Sequence, residues 1–307
     1  MNSQKDNNPL LCDVTTGMCE MPIGTREANQ EGILAEEKPI KILYYTDPIC
    51  SSCWGVEPQL HKLKLEYGHL LTIDYRMGGL LPDWSYNSGG ISSPKDVAGH
   101  WDEVSLHYDM PIDGDLWLED PMSSSYPPSI AFKAAQLQAP KKAILFLRQM
   151  RELMFLSKKN MTKWENILLA TKDSGLDTER LLSDYKGKAV ALFNEDLQLA
   201  KKNGVRGFPT FIFSNKEGAS EFIYGTRPYD VFESKVLELV PTAEKKAYDT
   251  SVDYLFEKFN SLTLREFSEL SGLGRQKSKN LLERLSERKW LSKIQSKNGD
   301  LFFKSEN

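Results

Sequence analysis

The feature that most restricts what this chain can fold into is the stretch from Lys41 to Tyr67, KILYYTDPICSSCWGVEPQLHKLKLEY. Ile42-Leu43-Tyr44-Tyr45 is a short apolar run of strand formers. Asp47-Pro48 breaks it, and Cys50-Ser51-Ser52-Cys53 follows. Leu60, Leu63 and Tyr67 then recur at helical spacing. Two cysteines thus open a helix directly after a strand. A bare C-x-x-C is more often a zinc half-site or chance, but this setting points to dithiol redox chemistry. The thiolate is the form that attacks a disulfide. Free N–H groups and the dipole at a helix N-terminus favour negative charge there. Cys50 is therefore expected to be the exposed nucleophile. Cys53, one turn in, is expected to be shielded and to resolve the mixed disulfide.

A chain of 307 residues suggests two domains. With 40% hydrophobic and 27% charged residues it reads as an ordinary soluble protein with ample core. A net charge of -4 argues against a protein dedicated to nucleic acid. Four cysteines are too few for a disulfide scaffold. The opening MNSQKDNNPLLCDV lacks a basic region followed by an apolar core, so no signal peptide is expected, and no apolar run approaches membrane-spanning length. The expected compartment is the cytoplasm, where a dithiol cycles or acts as a reductant.

Residues 1–38 read as a polar arm without periodicity. Within it Cys12 and Cys19 bracket a Thr-Thr-Gly turn signal. Three readings stay open: idle thiols, a second redox pair that reaches Cys50 and Cys53, or zinc held by all four sulfurs. Residues 39–79 give strand, helix, strand, closed by Gly78-Gly79. The segment from Leu80 to about Pro128 is rich in loop signals, and loops of that length commonly carry function. His100 and His107 lie there without a carboxylate or third histidine to complete a ligand set, so no metal site is assigned. Residues 129–203 are helical in pattern and lead into GFPTFIF, a strand headed by Pro209. A second strand at Phe222–Tyr224 and a helix from Tyr229 to Val240 close this part.

The order is strand, C-x-x-C helix, strand, helical insertion at about 80–190, helix, proline-headed strand, strand, helix. It describes an α/β thioredoxin fold over 39–240, split by a helical domain. These residues resemble the DsbA family of thioredoxin-fold proteins, especially its cytoplasmic, FrnE-like branch. The matching motifs are DPICSSCWG, RMGGLLPDW, DMPID, WLEDP, SSYPPS and GFPTFIF. The resemblance implies a thiol–disulfide oxidoreductase without a cofactor, acting on protein or small-molecule disulfides. It makes Cys50 the nucleophile, Cys53 the resolving cysteine and Pro209 a cis-proline facing them. Substrate would add as an extended strand beside Phe208-Pro209. Trp54 and Phe208 would supply an apolar rim, with Thr210 next to them, although Trp54 suits core packing equally well. Ser51-Ser52 departs from the Pro-His pair of the strongly oxidising members, which argues against a strong oxidant.

Residues 247–307, after a linker at 241–246, form a separate unit. Three short helical patterns precede a hairpin around Asn298-Gly299, which suggests a winged-helix-like domain. Its third helix carries Arg275, Lys277, Lys279, Arg284 and Arg288, but Glu283 and Glu287 interrupt the charge. A protein contact or a simple docked appendage is therefore expected there rather than DNA binding. The two-part layout also resembles the adaptor that delivers the regulator Spx to the ClpXP protease. HKLKLEYG, AFKAAQLQ and NGDLFFKS carry that likeness. It implies an alternative function, an adaptor whose cysteines sense redox state or zinc.

Overall fold

The computed structural model describes residues 12–13, 18–20, 38–86 and 93–305. The arm lies outside these residues except for two short strands, β1 (Cys12–Asp13) and β2 (Met18–Glu20). The aperiodic arm therefore contains paired backbone that its composition does not announce. The loop at 87–92 is likewise outside the described residues.

Strand β3 (Ile40–Thr46) leads to helix α1 (Ser51–Gly55), helix α2 (Glu57–Tyr67) and strand β4 (Leu71–Met77). Seven α-helices follow among the described residues. They are α3 (Pro94–Tyr108), α4 (Leu116–Glu119), α5 (Tyr126–Gln138), α6 (Pro140–Ser157), α7 (Trp164–Asp173), α8 (Thr178–Tyr185) and α9 (Lys188–Lys202). The chain then returns through β5 (Gly207–Phe208), β6 (Thr210–Asn215), β7 (Ser220–Tyr224) and α10 (Tyr229–Leu239).

The central sheet has the order β4-β3-β6-β7. Strand β4 runs parallel to β3, which needs the α1–α2 crossover, whereas β6 and β7 are antiparallel and need only a tight turn. Register places Tyr44 opposite both Tyr75 and Phe211. Their rings form a row, with centroids 5.1 and 4.4 Å apart, and Phe232 of α10 closes it 5.0 Å from Phe211. Such cross-strand aromatic pairs fix register as well as stability. On the other face Asn203, just after α9, donates to the Tyr45 hydroxyl at 2.7 Å. No helix among the described residues is long and apolar enough to cross a membrane.

The C-terminal unit comprises α11 (Val252–Lys258), β8 (Ser261–Thr263), α12 (Leu264–Ser271), α13 (Arg275–Glu287), β9 (Leu291–Ser296) and β10 (Gly299–Lys304). Its three-stranded sheet has the order β8-β10-β9. It packs on the first domain in part through charge. Arg275 makes a two-pronged contact with Asp109 at 2.6 and 2.7 Å, and Lys297 reaches Asp102 and Asp115. Asn298 donates to Asp102 and to the Ile112 carbonyl, both at 2.9 Å.

Candidate functional site

The site begins where β3 ends. Asp47 accepts from the Ile49 N–H on one oxygen, and from the Leu80 N–H and the Ser125 hydroxyl on the other. Three chain segments are thereby pinned to one carboxylate. Asp47 is fully buried, and burial pushes its carboxyl up to about 6, against the pull of those donors and of Arg151. Sequence reading took Asp47-Pro48 only as a strand breaker. Its distant partners, Leu80 and Ser125, carry no local signal.

Cys50 caps α1. Its backbone is extended (φ -74°, ψ 109°) and its sulfur accepts the Cys53 N–H at 3.1 Å. A donor aimed at that sulfur favours the thiolate. Cys50 and Cys53 are joined as a disulfide with Cα atoms 5.1 Å apart. The expected exposure of Cys50 does not hold: both cysteines are 0% exposed. The Ser52 hydroxyl lies 3.0 Å from the Tyr108 hydroxyl, and the Ser52 carbonyl accepts from Thr226. Gly55 permits this approach, since a Cβ there would fall 2.5 Å from the Tyr108 ring.

The Phe208–Pro209 bond is cis. Pairing of Tyr45 with Thr210 sets Pro209 beside the end of β3 from which the dithiol loop leaves, so Cys50, Cys53 and Pro209 lie at the same end of the sheet. The side chains of Trp54, Phe208 and Thr210 are buried and form no rim. The Trp54 indole donates to the Pro111 carbonyl, stacks near Phe155 and lies under Arg148. The Phe208 ring fills the space that a Cβ on Gly78 would occupy, 1.7 Å away. The Thr210 hydroxyl donates to the Gly207 carbonyl at 2.7 Å. The side chains of these residues are therefore taken up by packing, which leaves their main chain. That main chain is already paired in part: Cys19 faces Phe208, Glu20 faces Gly207, and Cys12 faces Cys19 across β1 and β2. The side chains of Cys12 and Cys19 lie outside the described residues, as does any zinc site that would use them.

A second cluster, which sequence reading missed, lies between α2, α6 and the C-terminal unit. Arg148 bonds to both oxygens of Glu266, at 2.5 and 3.0 Å, and to Glu152. Arg151 bonds to Glu57, the Thr46 hydroxyl and the Asp47 carbonyl. Burial of Glu266 disfavours its charge, but Arg148, by charge and hydrogen bond, and the Thr263 N–H hold its carboxyl below the ordinary value. His61 lies 3.4 Å from Glu57 and 3.4 Å from Glu266. Burial nonetheless lowers its imidazole to about 4, so it is neutral near pH 7. The contacts are thus between carboxylates and a neutral ring. A cavity of about 180 Å³ opens there, lined by Glu57, His61, Lys64, Arg148, Phe259 and Ser261.

Residues 43–234 match the Thioredoxin family. The ClpXP adapter protein SpxH of Halalkalibacterium halodurans is 32% identical over 302 residues, covering 96% of this chain and 97% of that protein. The ClpXP adapter protein SpxH of Bacillus subtilis is 31% identical over 276 residues, covering 88% and 90%. Among solved structures, a putative protein disulfide isomerase from Nitrosomonas europaea superposes with a TM-score of 0.56 at 20% identity, covering 67% of this chain and 97% of its own. The cytosolic disulfide reductase DsbM from Pseudomonas aeruginosa superposes with a TM-score of 0.53 at 21% identity, covering 65% and 100%. These two likenesses establish the fold alone.

Proposed function

We propose, from the premise that the chain belongs to the Thioredoxin family and to the family of the ClpXP adapter protein SpxH, that it is a cytoplasmic adapter presenting the regulator Spx to the ClpXP protease. The observation that carries this reading is the reach of the sequence likeness. It extends over 96% of the chain and so includes the C-terminal unit. The disulfide isomerase and reductase structures cover 67% and 65%, about the share of the dithiol domain. A disulfide enzyme needs only that domain. An adapter needs a second surface, and the C-terminal unit, which we read as winged-helix-like, supplies one. The Cys50–Cys53 pair then serves as a redox sensor. The test is degradation of purified Spx by purified ClpXP with and without this protein. Acceleration is expected, and an unchanged rate with a folded, monodisperse sample would refute the adapter reading.

A second reading rests on the sulfur geometry, since Cys50 caps a helix beside a cis-proline. In an oxidoreductase the Cys50 thiolate attacks a substrate disulfide and releases one substrate thiol. Cys53 then attacks Cys50 and releases the second, so two electrons pass to the substrate as the Cys50–Cys53 disulfide forms. Cys12 and Cys19 would restore the dithiol, yielding two electrons and two protons as their own disulfide closes. Substrate would lie along the main chain near Phe208 and Thr210. Under this reading Cys50→Ser abolishes insulin reduction and Cys53→Ser traps mixed disulfides. Full activity of Cys50→Ser would exclude it.

A further inference from the structure

The sheet edge beside the cis-proline already has an occupant. In a fold of this kind an extended segment adds as a strand at Gly207–Phe208, where backbone groups are otherwise open. Here Met18–Glu20 fills that position, antiparallel, with Cys19 opposite Phe208 and Glu20 opposite Gly207. The same strand packs against α1, the helix that Cys50 caps. A second observation agrees: Cys50 and Cys53 are 0% exposed, although their position at a helix start would ordinarily leave the first sulfur accessible. Strand β2 thus occupies the strand edge that an incoming segment would use and lies against the helix whose start holds the nucleophilic sulfur.

We propose that β2 is a built-in competitor for this site, and that the protein takes an extended protein segment carrying a cysteine only when β2 leaves the edge. The chemistry of the partner is read from its stand-in. Met18-Cys19-Glu20 is extended, pairs antiparallel and sets a cysteine opposite Phe208. A partner segment with a cysteine at the same register position makes the same backbone bonds. Because the competitor belongs to the same chain, its effective concentration does not fall on dilution, and a partner must outcompete it intramolecularly. Pairing of Cys12 with Cys19 across β1 and β2 places the competitor's own two cysteines on its hairpin, so its hold on the edge is open to thiol chemistry. The proposal is independent of whether the partner is delivered to a protease or reduced.

The test measures alkylation of reduced Cys50 by iodoacetamide, followed by peptide mass spectrometry, as a function of pH. The plateau rate at alkaline pH compares access with the sulfur fully ionised. Three proteins are compared: the full chain, a variant lacking residues 2–30, and the full-length double variant Met18→Pro/Glu20→Pro, whose prolines cannot donate to a ladder. Both variants are expected to react about tenfold faster at the plateau, which corresponds to about 1.4 kcal/mol of opening free energy. A peptide of residues 10–22 carrying Cys12→Ser and Cys19→Ser should restore protection of the truncated protein in a saturable manner. Equal plateau rates in all three proteins would overturn the proposal. So would a faster truncated protein that the peptide fails to protect, because Cys50 would then be covered by something other than β2.

Discussion

Replacing His61 by glutamine should alter how stability depends on pH, and the structure sets the size of the effect. His61 lies on α2 in the contact with the C-terminal unit and is 8% exposed. Burial lowers its imidazole from 6.5 to about 4, and the neighbouring Glu266 and Glu57 do not compensate. Between those values the unfolded chain binds a proton that the folded chain refuses, so stability rises with pH across the window. At 1.36 kcal/mol per pH unit, acidification from 6.5 to 4 removes about 3 kcal/mol through this side chain. Asp47 acts in the opposite sense. Its carboxyl stands at about 6 in the folded protein against 3.8 unfolded, so the folded state gains protons and stability as pH falls through that range. The two effects are of similar size, about 3 kcal/mol each, and largely offset one another in the wild type. In His61→Gln the Asp47 contribution remains without this counterweight. The assay is urea unfolding of both proteins from pH 7 to 4.5. The difference between them is the readout, since titrating groups common to both cancel. It should move by about 2.5 kcal/mol in the variant's favour on acidification over this range. A difference that stays constant across the range would refute the placement of a neutral imidazole in this interface.

Arg148→Ala leaves Glu266 buried without its cation and should cost about 3–5 kcal/mol in denaturant unfolding. Adding Glu266→Gln should recover much of that loss, and additive costs would contradict a direct pair. Gly78→Ala drives a methyl into the Phe208 ring and should destabilise by about 3 kcal/mol; wild-type thermal stability would show that the ring can move aside. The reduction potential of the Cys50–Cys53 pair, measured against glutathione, should lie nearer about −270 mV than about −120 mV. Ser51-Ser52 offers no histidine to stabilise the thiolate, and a value at the oxidising end would count against that argument.

Local signals were legible. The run Ile42–Tyr45 became the central strand because β-branched and aromatic residues suit a sheet buried on both faces. The Asn298-Gly299 turn produced the terminal hairpin, and Pro209 heads its strand in the cis form. Signals that depend on distant partners were not legible. Thr263 and Glu266 form a capping box, which a sequence can announce. That Glu266 also binds Arg148, 118 positions away, follows only from packing of α6 against the C-terminal unit. His61 reads as one polar residue in an amphipathic helix until that unit covers it. The pairing of β2 with β5 is hidden for the same reason, since a three-residue strand in a polar arm has too little pattern to stand out.

The boundary between the two units is crossed in both directions by apolar side chains. Leu301 of β10 belongs to the core of the first domain, and Leu65 of α2 packs against the core of the second. The Lys246 N–H bonds to the Glu66 carbonyl, so the connecting segment is itself laid along α2. The peptide link at 241–246 is therefore not what joins the halves. A protein nicked there should still elute as one particle and unfold in one transition, with its two fragments parting only under denaturant. The join is a glued seam rather than a tether, and neither half can be exchanged for a foreign module without recutting the face of the other.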